Sequence, residues 1–417
     1  MLMSIPGQTM GVSVFTDPLL EATKLTRLEL STTYLIGTLI SSLLLPFGGS
    51  ILDRFGARIV AMGASLTLGL TLISFMYIGA TSQAVARLAQ GLSPTWAAAA
   101  VLTVSFALLR FSGQGMLTMS SRTMMTKWFH RHRGLVSGVN GVFVSFGFAS
   151  APWALQALIN FTDWRSAYFY MAVTVGAGMT LVAWIFYRDN PEKCGLRMDG
   201  DPALPILGGT GATDMLADDW AATRHEALRS RAFWAVTASL AIQSMVFTGI
   251  TFHIVDLGRE AGIASESAVE LFLPIAAVST LVGLLSGWAA DRVEVRSLVL
   301  VFLAAQALGY AGAAHLGEPA LAVLMVVGCG AANGLFGTIA SVAIPNLFGR
   351  KHLGAIASAQ MSCMVAGSAV GPALLAVAKI FSGSYRQGLL LCCGLSLAAV
   401  ALTLRTVPHR PPQRQSS

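Results

Sequence analysis

A chain of 417 residues with 54% hydrophobic and only 11% charged residues carries less than half the charge of an average soluble protein, about 25%. With a mean hydropathy of +0.67, most of its surface is expected to face lipid, and the length accommodates about a dozen spans of ~20 residues. The net charge of +7 sits mostly in short segments between apolar runs, which is how membrane topology is encoded, and it argues against nucleic acid as a partner.

Apolar runs of spanning length are read at 1–20, 29–51, 59–80, 96–121, 134–158, 167–187, 232–254, 268–290, 297–315, 319–343, 354–379 and 387–405. They predict twelve transmembrane helices. Strands are not expected, because the runs are long and lack alternation. The first run carries Pro6–Gly7 in its middle, so the helix is expected to bend or unwind beside Gln8 and Thr9. No basic segment precedes it and no small-residue cleavage site follows, so it does not read as a secretory signal.

The second run ends in "GGSILDRFGAR", residues 48–58, and the eighth in "SGWAADRVEVR", residues 286–296. Gly49, Asp53, Arg54 and Arg58 recur at one spacing as Gly287, Asp291, Arg292 and Arg296. Charged groups persist at a membrane boundary when the aspartate finds a partner. The N-terminus of a neighbouring helix is one, since its partial positive end favours a carboxylate. The glycine four residues earlier lets that helix approach closely. The expectation is a contact that holds a gate in one state and releases it in another. The bland alternative, that these charges only fix topology, leaves the aspartate unexplained, because it adds nothing to positive-inside sorting.

In the fourth run Arg110 stands about fourteen residues in, near mid-membrane. An arginine there costs a few kcal/mol and faces a cavity or a partner. It is either a bidentate anchor for a carboxylate substrate or a tie to carbonyls of neighbouring helices. Residues 188–231 are the one long polar stretch, read as a linker. Its end, from Trp220 on, is expected to form a short amphipathic helix. Its "GGTGATD" has no preceding strand and no following lysine, and so does not read as a phosphate loop. His253, near the outer end of the seventh run, is the one histidine within membrane depth and a candidate proton site; a solvated rim residue is the alternative. Lysine and arginine placement predicts cytoplasmic termini, with Arg405, Arg410 and Arg414 in the tail. The five cysteines form no CxxC pair, so neither a disulfide framework nor a metal site is expected. No hydrolase, zinc-protease or nucleotide-loop motif is present, and no enzyme activity or cofactor is expected.

Further parallels tie the halves together. "KWFHRHRG" matches "NLFGRKHLG", "GFASAP" matches "GSAVGP", and "FTDWRSAY" matches "FSGSYRQG". Landmarks recurring in one order indicate a duplicated chain with a site between the halves. "GGSILDRFGAR", "ALLRFSGQG" and the two glycine–proline stretches resemble motifs of the major facilitator superfamily. "MTKWFHRHRGLVSGVNG" and "NPEKCGLRMDG" are similar to its monocarboxylate and oxalate–formate porter branch. The sequence departs at Gln114 and Ala151, where glycine is usual, and its eighth run carries no central arginine or aspartate. The resemblance implies that the first, fourth, seventh and tenth helices line a cavity, making Gln8, Gln114, Gln243, Ser244 and Asn333 candidate substrate contacts, with a helix–helix hydrogen bond as the alternative for each.

The expected fold is an all-α membrane protein of twelve helices in two pseudo-symmetric six-helix bundles, 1–187 and 232–405, with a linker at 188–231 and a cytoplasmic tail at 406–417. The expected function is secondary transport of a small organic anion, a mono- or dicarboxylate, across the plasma (inner) membrane by alternating access, as uniport or with a coupling proton or counter-anion. Drug or metabolite efflux on the same fold is the alternative, and a non-transporting sensor a further one. The protein is expected to be monomeric in the bilayer.

Overall fold

Lipid offers the backbone no hydrogen-bond partners, so long apolar runs satisfy their N–H and C=O groups internally as helices. The structure is a computed structural model that describes residues 1–89, 93–129, 131–200 and 221–407. The stretch 208–214, Trp220, Arg410 and Arg414 lie outside the described residues. Among the described residues every regular element is helical, and ten helices are long and apolar enough to cross a membrane.

The longest, Arg27–Met76, has 50 residues. At 1.5 Å per residue that is about 75 Å, more than twice a hydrocarbon core of ~30 Å. It is broken at Gly56, whose φ of 82° and ψ of 165° are non-helical. The runs read at 29–51 and 59–80 are its two arms. A Cβ at Gly56 would stand 2.5 Å from the carboxyl carbon of Asp189. That carboxylate accepts the Arg58 backbone N–H at 3.0 Å and so caps the second arm. Both the backbone region and the space exclude a side chain. Gly56→Ala is therefore expected to destabilise by about 1–3 kcal/mol, read as a lower melting temperature in detergent; an unchanged one contradicts this account of the corner.

The run at 1–20 is not one continuous helix. It is a 3-10 turn at Leu2–Gly7, then Thr9–Ser13 and Thr16–Thr23. The break falls at Gln8, extended at φ −94° and ψ 160°, directly after Pro6 and Gly7. Proline removes one backbone donor and glycine weakens helical preference, so the chain unwinds where the two meet.

The chain forms two compact units. The first comprises Met1–Met124 with Phe146–Asp189, and the second Met125–Ser145 with Asn190–Ser417. In the first, a run of aromatic rings builds the core. Phe15 stacks on Tyr168 at 4.1 Å between centroids, Tyr168 on Phe75 at 5.5 Å, Phe75 meets Phe106 at 5.4 Å, and Phe106 meets Tyr34 at 5.2 Å. The second unit packs helices Arg231–Glu260, Phe272–Ala290, Val295–Ala314, Pro319–Phe348, Leu353–Ser382 and Tyr385–Thr406. Its apolar core includes Val246, Ile250, Met325, Leu375 and Leu389. Near the end of the linker stretch a short helix, Arg224–Arg229, starts on a capping box of Thr223 and Glu226. The Thr223 backbone N–H, and then its hydroxyl, hold the Glu226 carboxyl below the usual carboxylate range.

Candidate functional site

In the first unit the site grows from the unwound segment at Gln8. Ideal Cβ atoms at Gly7 and Gly113 would come within 2.6 and 2.7 Å of each other's Cα, so the chain crosses the Arg110–Leu117 segment at backbone contact. That segment is π-helical. A π-bulge widens the helix and redirects its side chains, and such bulges recur at functional sites. Here Arg110 opens the π-helical segment and faces the unwound segment. The guanidinium donates to Gly7 C=O at 3.1 Å and reaches Thr9 Oγ1 at 3.5 Å. Its carbon lies 5.3 Å from the Tyr34 ring centroid, and the Tyr34 hydroxyl meets Thr9 Oγ1 at 3.0 Å. The cation is thus held by a carbonyl, a hydroxyl and an aromatic face.

Arg110 is 1% exposed. Among the described residues no carboxylate forms an ion pair with it, and its Nε has no hydrogen-bond partner. Burying a charge costs several kcal/mol unless a counter-charge compensates. One turn on, the buried Gln114 Oε1 is also unpartnered. Gln8 Nε2 donates to the buried Ser4 Oγ at 3.2 Å. The structure brings Arg110, Gln8, Gln114, Thr9 and Tyr34 to one place. Tyr34 was missed from the sequence; its signal is a hydroxyl-bearing ring inside an apolar run, which needs a partner.

In the second unit Gln243 and Asn333 bond directly. Gln243 Nε2 donates to Asn333 Oδ1 at 2.8 Å, while Tyr310 Oη donates to Gln243 Oε1 at 2.7 Å. Tyr310 is fully buried and fixes which end of the Gln243 amide faces Asn333. His253 is held at both ring nitrogens, by Pro372 C=O at 2.9 Å and the Tyr385 hydroxyl at 3.2 Å. It thereby reaches the second glycine–proline stretch. Lys379 pairs with Glu260 at 3.9 Å and lies 4.3 Å from the Tyr385 ring centroid, so that cation already has its anion.

The Asp–Arg corners have definite geometry. Asp291 accepts the backbone N–H of Gly134 at 2.6 Å and of Leu135 at 2.9 Å, at the N-terminus of helix Arg133–Phe161. Four residues before Asp291, a Cβ on Gly287 would stand 2.6 Å from the Gly134 carbonyl oxygen and 2.8 Å from Gly138 Cα. The close approach lets the carboxylate reach the helix terminus. Arg296 donates to Leu404 C=O at 3.0 Å, two residues before the end of its helix. Arg58 donates to Trp184 C=O, likewise two residues before a helix end. Each arginine therefore bonds an open carbonyl at a negative helix terminus, the same device in both halves. Arg292 stacks over Trp288 at 4.3 Å and Arg54 over Phe55 at 5.3 Å. Gly49 and Asp53 lie on the first arm of Arg27–Met76, Gly49 buried and Asp53 partly buried. Asp189 and Asp199, both in the linker stretch, were missed as partners. Asp189 caps the second arm, and Asp199 accepts the Arg131 N–H at 2.8 Å.

Monocarboxylate transporter 13 of Bos taurus is 27% identical over 384 residues, spanning 90% of this chain and 79% of that protein. The proton:xylose symporter XylE superposes with a TM-score of 0.66 at 14% identity, covering 98% of this chain and 94% of that one. The human organic anion transporter TETRAN gives 0.63 at 16% identity, covering 96% of each chain. The E. coli fucose:proton symporter FucP gives 0.64 at 14%, covering 97% of each. The family model described as Major Facilitator Superfamily matches residues 1–372. With that match across most of its length and, among the described residues, an all-helical fold with ten long apolar helices, the chain belongs to the Major Facilitator Superfamily and is an integral membrane transporter of that family.

Proposed function

We propose that the protein carries a small organic anion, a mono- or dicarboxylate, across the plasma membrane by alternating access. The observation that carries this reading is Arg110, buried in the first unit with no acidic partner among the described residues. A carboxylate supplies the missing charge and two acceptors in the fork geometry of a guanidinium. The 27% identity to a protein named a monocarboxylate transporter supports the same class, as does a structural neighbour named an organic anion transporter. Gln8 and Gln114 are the proposed neighbours of the anion in the first half, and Gln243 and Asn333 in the second. His253 is the proposed proton site, with a counter-anion as the other coupling partner.

The proposed layout has twelve crossings in bundles 1–187 and 232–405, joined by the linker 188–231, with a tail at 406–417. The two arms of Arg27–Met76 count as two crossings and the broken segment 1–23 as one. Both termini are proposed to be cytoplasmic, and the carrier to work as a monomer. The corner residues Gly49, Asp53, Arg54, Arg58, Gly287, Asp291, Arg292 and Arg296 form the proposed gate. In this layout the bond from Asp291 to the N-terminus of helix Arg133–Phe161 breaks in the opposite state.

One observation favours a second reading of Arg110. At 1% exposure and bonded to Gly7 C=O, it fastens the unwound segment to its neighbour without meeting substrate. Thermal unfolding of purified protein with pyruvate, succinate, xylose and tetraphenylphosphonium tests the substrate class. A ligand at 100 times its Kd stabilises by about 2.7 kcal/mol, so the carboxylates are expected to raise the melting temperature and the other two to leave it unchanged. Stabilisation by xylose or the cation alone contradicts the proposal.

A further inference from the structure

Between the two arms of Arg27–Met76 and the π-helical segment lies a groove of about 260 Å³. Its walls are apolar, with Phe55, Ile59, Phe111 and Met116 among them, and all its lining residues belong to the first unit. It holds two hydroxyls, and both are already used. Ser112 Oγ donates to Leu108 C=O at 2.6 Å, and Thr67 Oγ1 to Gly63 C=O at 2.9 Å. A bound water needs two to four polar partners, so the groove does not suit water. Nor does the protein fill it, since a Cβ at Gly63 would meet nothing within 4 Å. Ile51, Phe55 and Ile59 are exposed, at 47, 47 and 57%, so the groove opens sideways from the helices. From Ile59 to Thr67 its wall runs eight residues, about 12 Å of helix.

At the end of the groove near the Gly56 corner stands Arg54. It is exposed, its guanidinium carbon lies 5.3 Å from the ring centroid of the lining Phe55, and it forms no ion pair among the described residues. The next cation, Arg58, donates to Trp184 C=O instead. A cation at one end of an apolar slot matches an amphiphile with an acidic head. In an integral membrane protein the phosphodiester of a phospholipid meets that description, and it pairs with a guanidinium bidentately.

We propose that this groove seats one acyl chain of a phospholipid, with its phosphate on Arg54. The site is independent of the transported substrate, and its test needs no transport measurement. The probe is 1-palmitoyl-2-oleoyl phosphatidylglycerol, titrated into delipidated protein and followed by native mass spectrometry. Wild type is expected to retain one tightly held lipid. Gly63→Phe fills the slot from within and is expected to lose that lipid. Gly63→Ala leaves the slot open and is expected to keep it, and melting temperatures near wild type verify that both variants fold. Arg54→Gln is expected to hold the lipid about fivefold more weakly, the contribution of one basic residue facing an anionic headgroup. Retention of the lipid by folded Gly63→Phe overturns the proposal, and so does equal affinity in Arg54→Gln. Displacement of the lipid by equimolar oleate also overturns it, because the phosphate would then contribute nothing.

Discussion

Arg110→Gln is expected to weaken carboxylate binding by roughly tenfold or more and to abolish uptake at substrate concentrations near the wild-type Kd, while folded protein remains in the membrane. Glutamine keeps donors for Gly7 C=O and Thr9 but removes the charge and the bidentate fork. A hydrogen bond to a charged group contributes about 1.5–3 kcal/mol, so an anion that loses its guanidinium should bind roughly 10- to 150-fold more weakly. The buried site adds a second signature. A guanidinium without a counter-ion is a costly occupant of the apo protein, so the variant should melt at or above the wild-type temperature without ligand. It should also lose the ligand-induced rise. If Arg110 only fastens the unwound segment, the pattern reverses: a lower apo melting temperature with carboxylate affinity unchanged. Calorimetric titration of pyruvate alongside thermal unfolding separates the two.

The second large effect is expected at Asp291. Its carboxylate caps two backbone N–H groups at 2.6 and 2.9 Å. Asparagine has one acceptor oxygen and turns its amide hydrogens towards a remaining donor. The loss combines the charge–dipole attraction, up to about 2 kcal/mol, with a charge-assisted bond. A shift of about 2–3 kcal/mol between two states of a carrier changes their ratio roughly 30- to 150-fold. Asp291→Asn should therefore slow turnover at least tenfold by this population argument, while carboxylate affinity changes far less. Asp53→Asn is expected to give the same signature. Uptake kinetics read against equilibrium binding check this, and wild-type turnover in both variants would remove the gate.

Local chemistry was legible in the sequence, and distant pairing was not. Pro6–Gly7 announced the break that the structure places at Gln8, because loss of a donor and of helical preference act on the chain itself. The spacing of Gly287 and Asp291 pointed to a helix terminus close by, and the terminus at Gly134 is there. The partner's identity depends on a residue 157 positions away in the chain, which no local pattern encodes. The same holds for Asp189, 131 residues from the arm it caps. The π-helical turn at Arg110–Leu117 left no mark in the sequence, and its backbone contact with the Gly7 segment joins residues more than a hundred positions apart. Gln243 and Asn333 read as separate polar residues in separate helices. The structure joins them through Tyr310, whose hydroxyl is an ordinary core feature until its partner is seen. His253 read first as a solvated rim residue and only second as a proton site, yet it bonds the Pro372 carbonyl inside the second unit.

The most direct measurement is uptake of labelled pyruvate and succinate into proteoliposomes holding the purified protein, with labelled xylose in parallel and Arg110→Gln as control. Saturable entry of at least one carboxylate, absent for xylose and lost in Arg110→Gln, is the predicted result. Saturable entry of xylose without carboxylate entry, or carboxylate entry at the wild-type rate in Arg110→Gln, would contradict it.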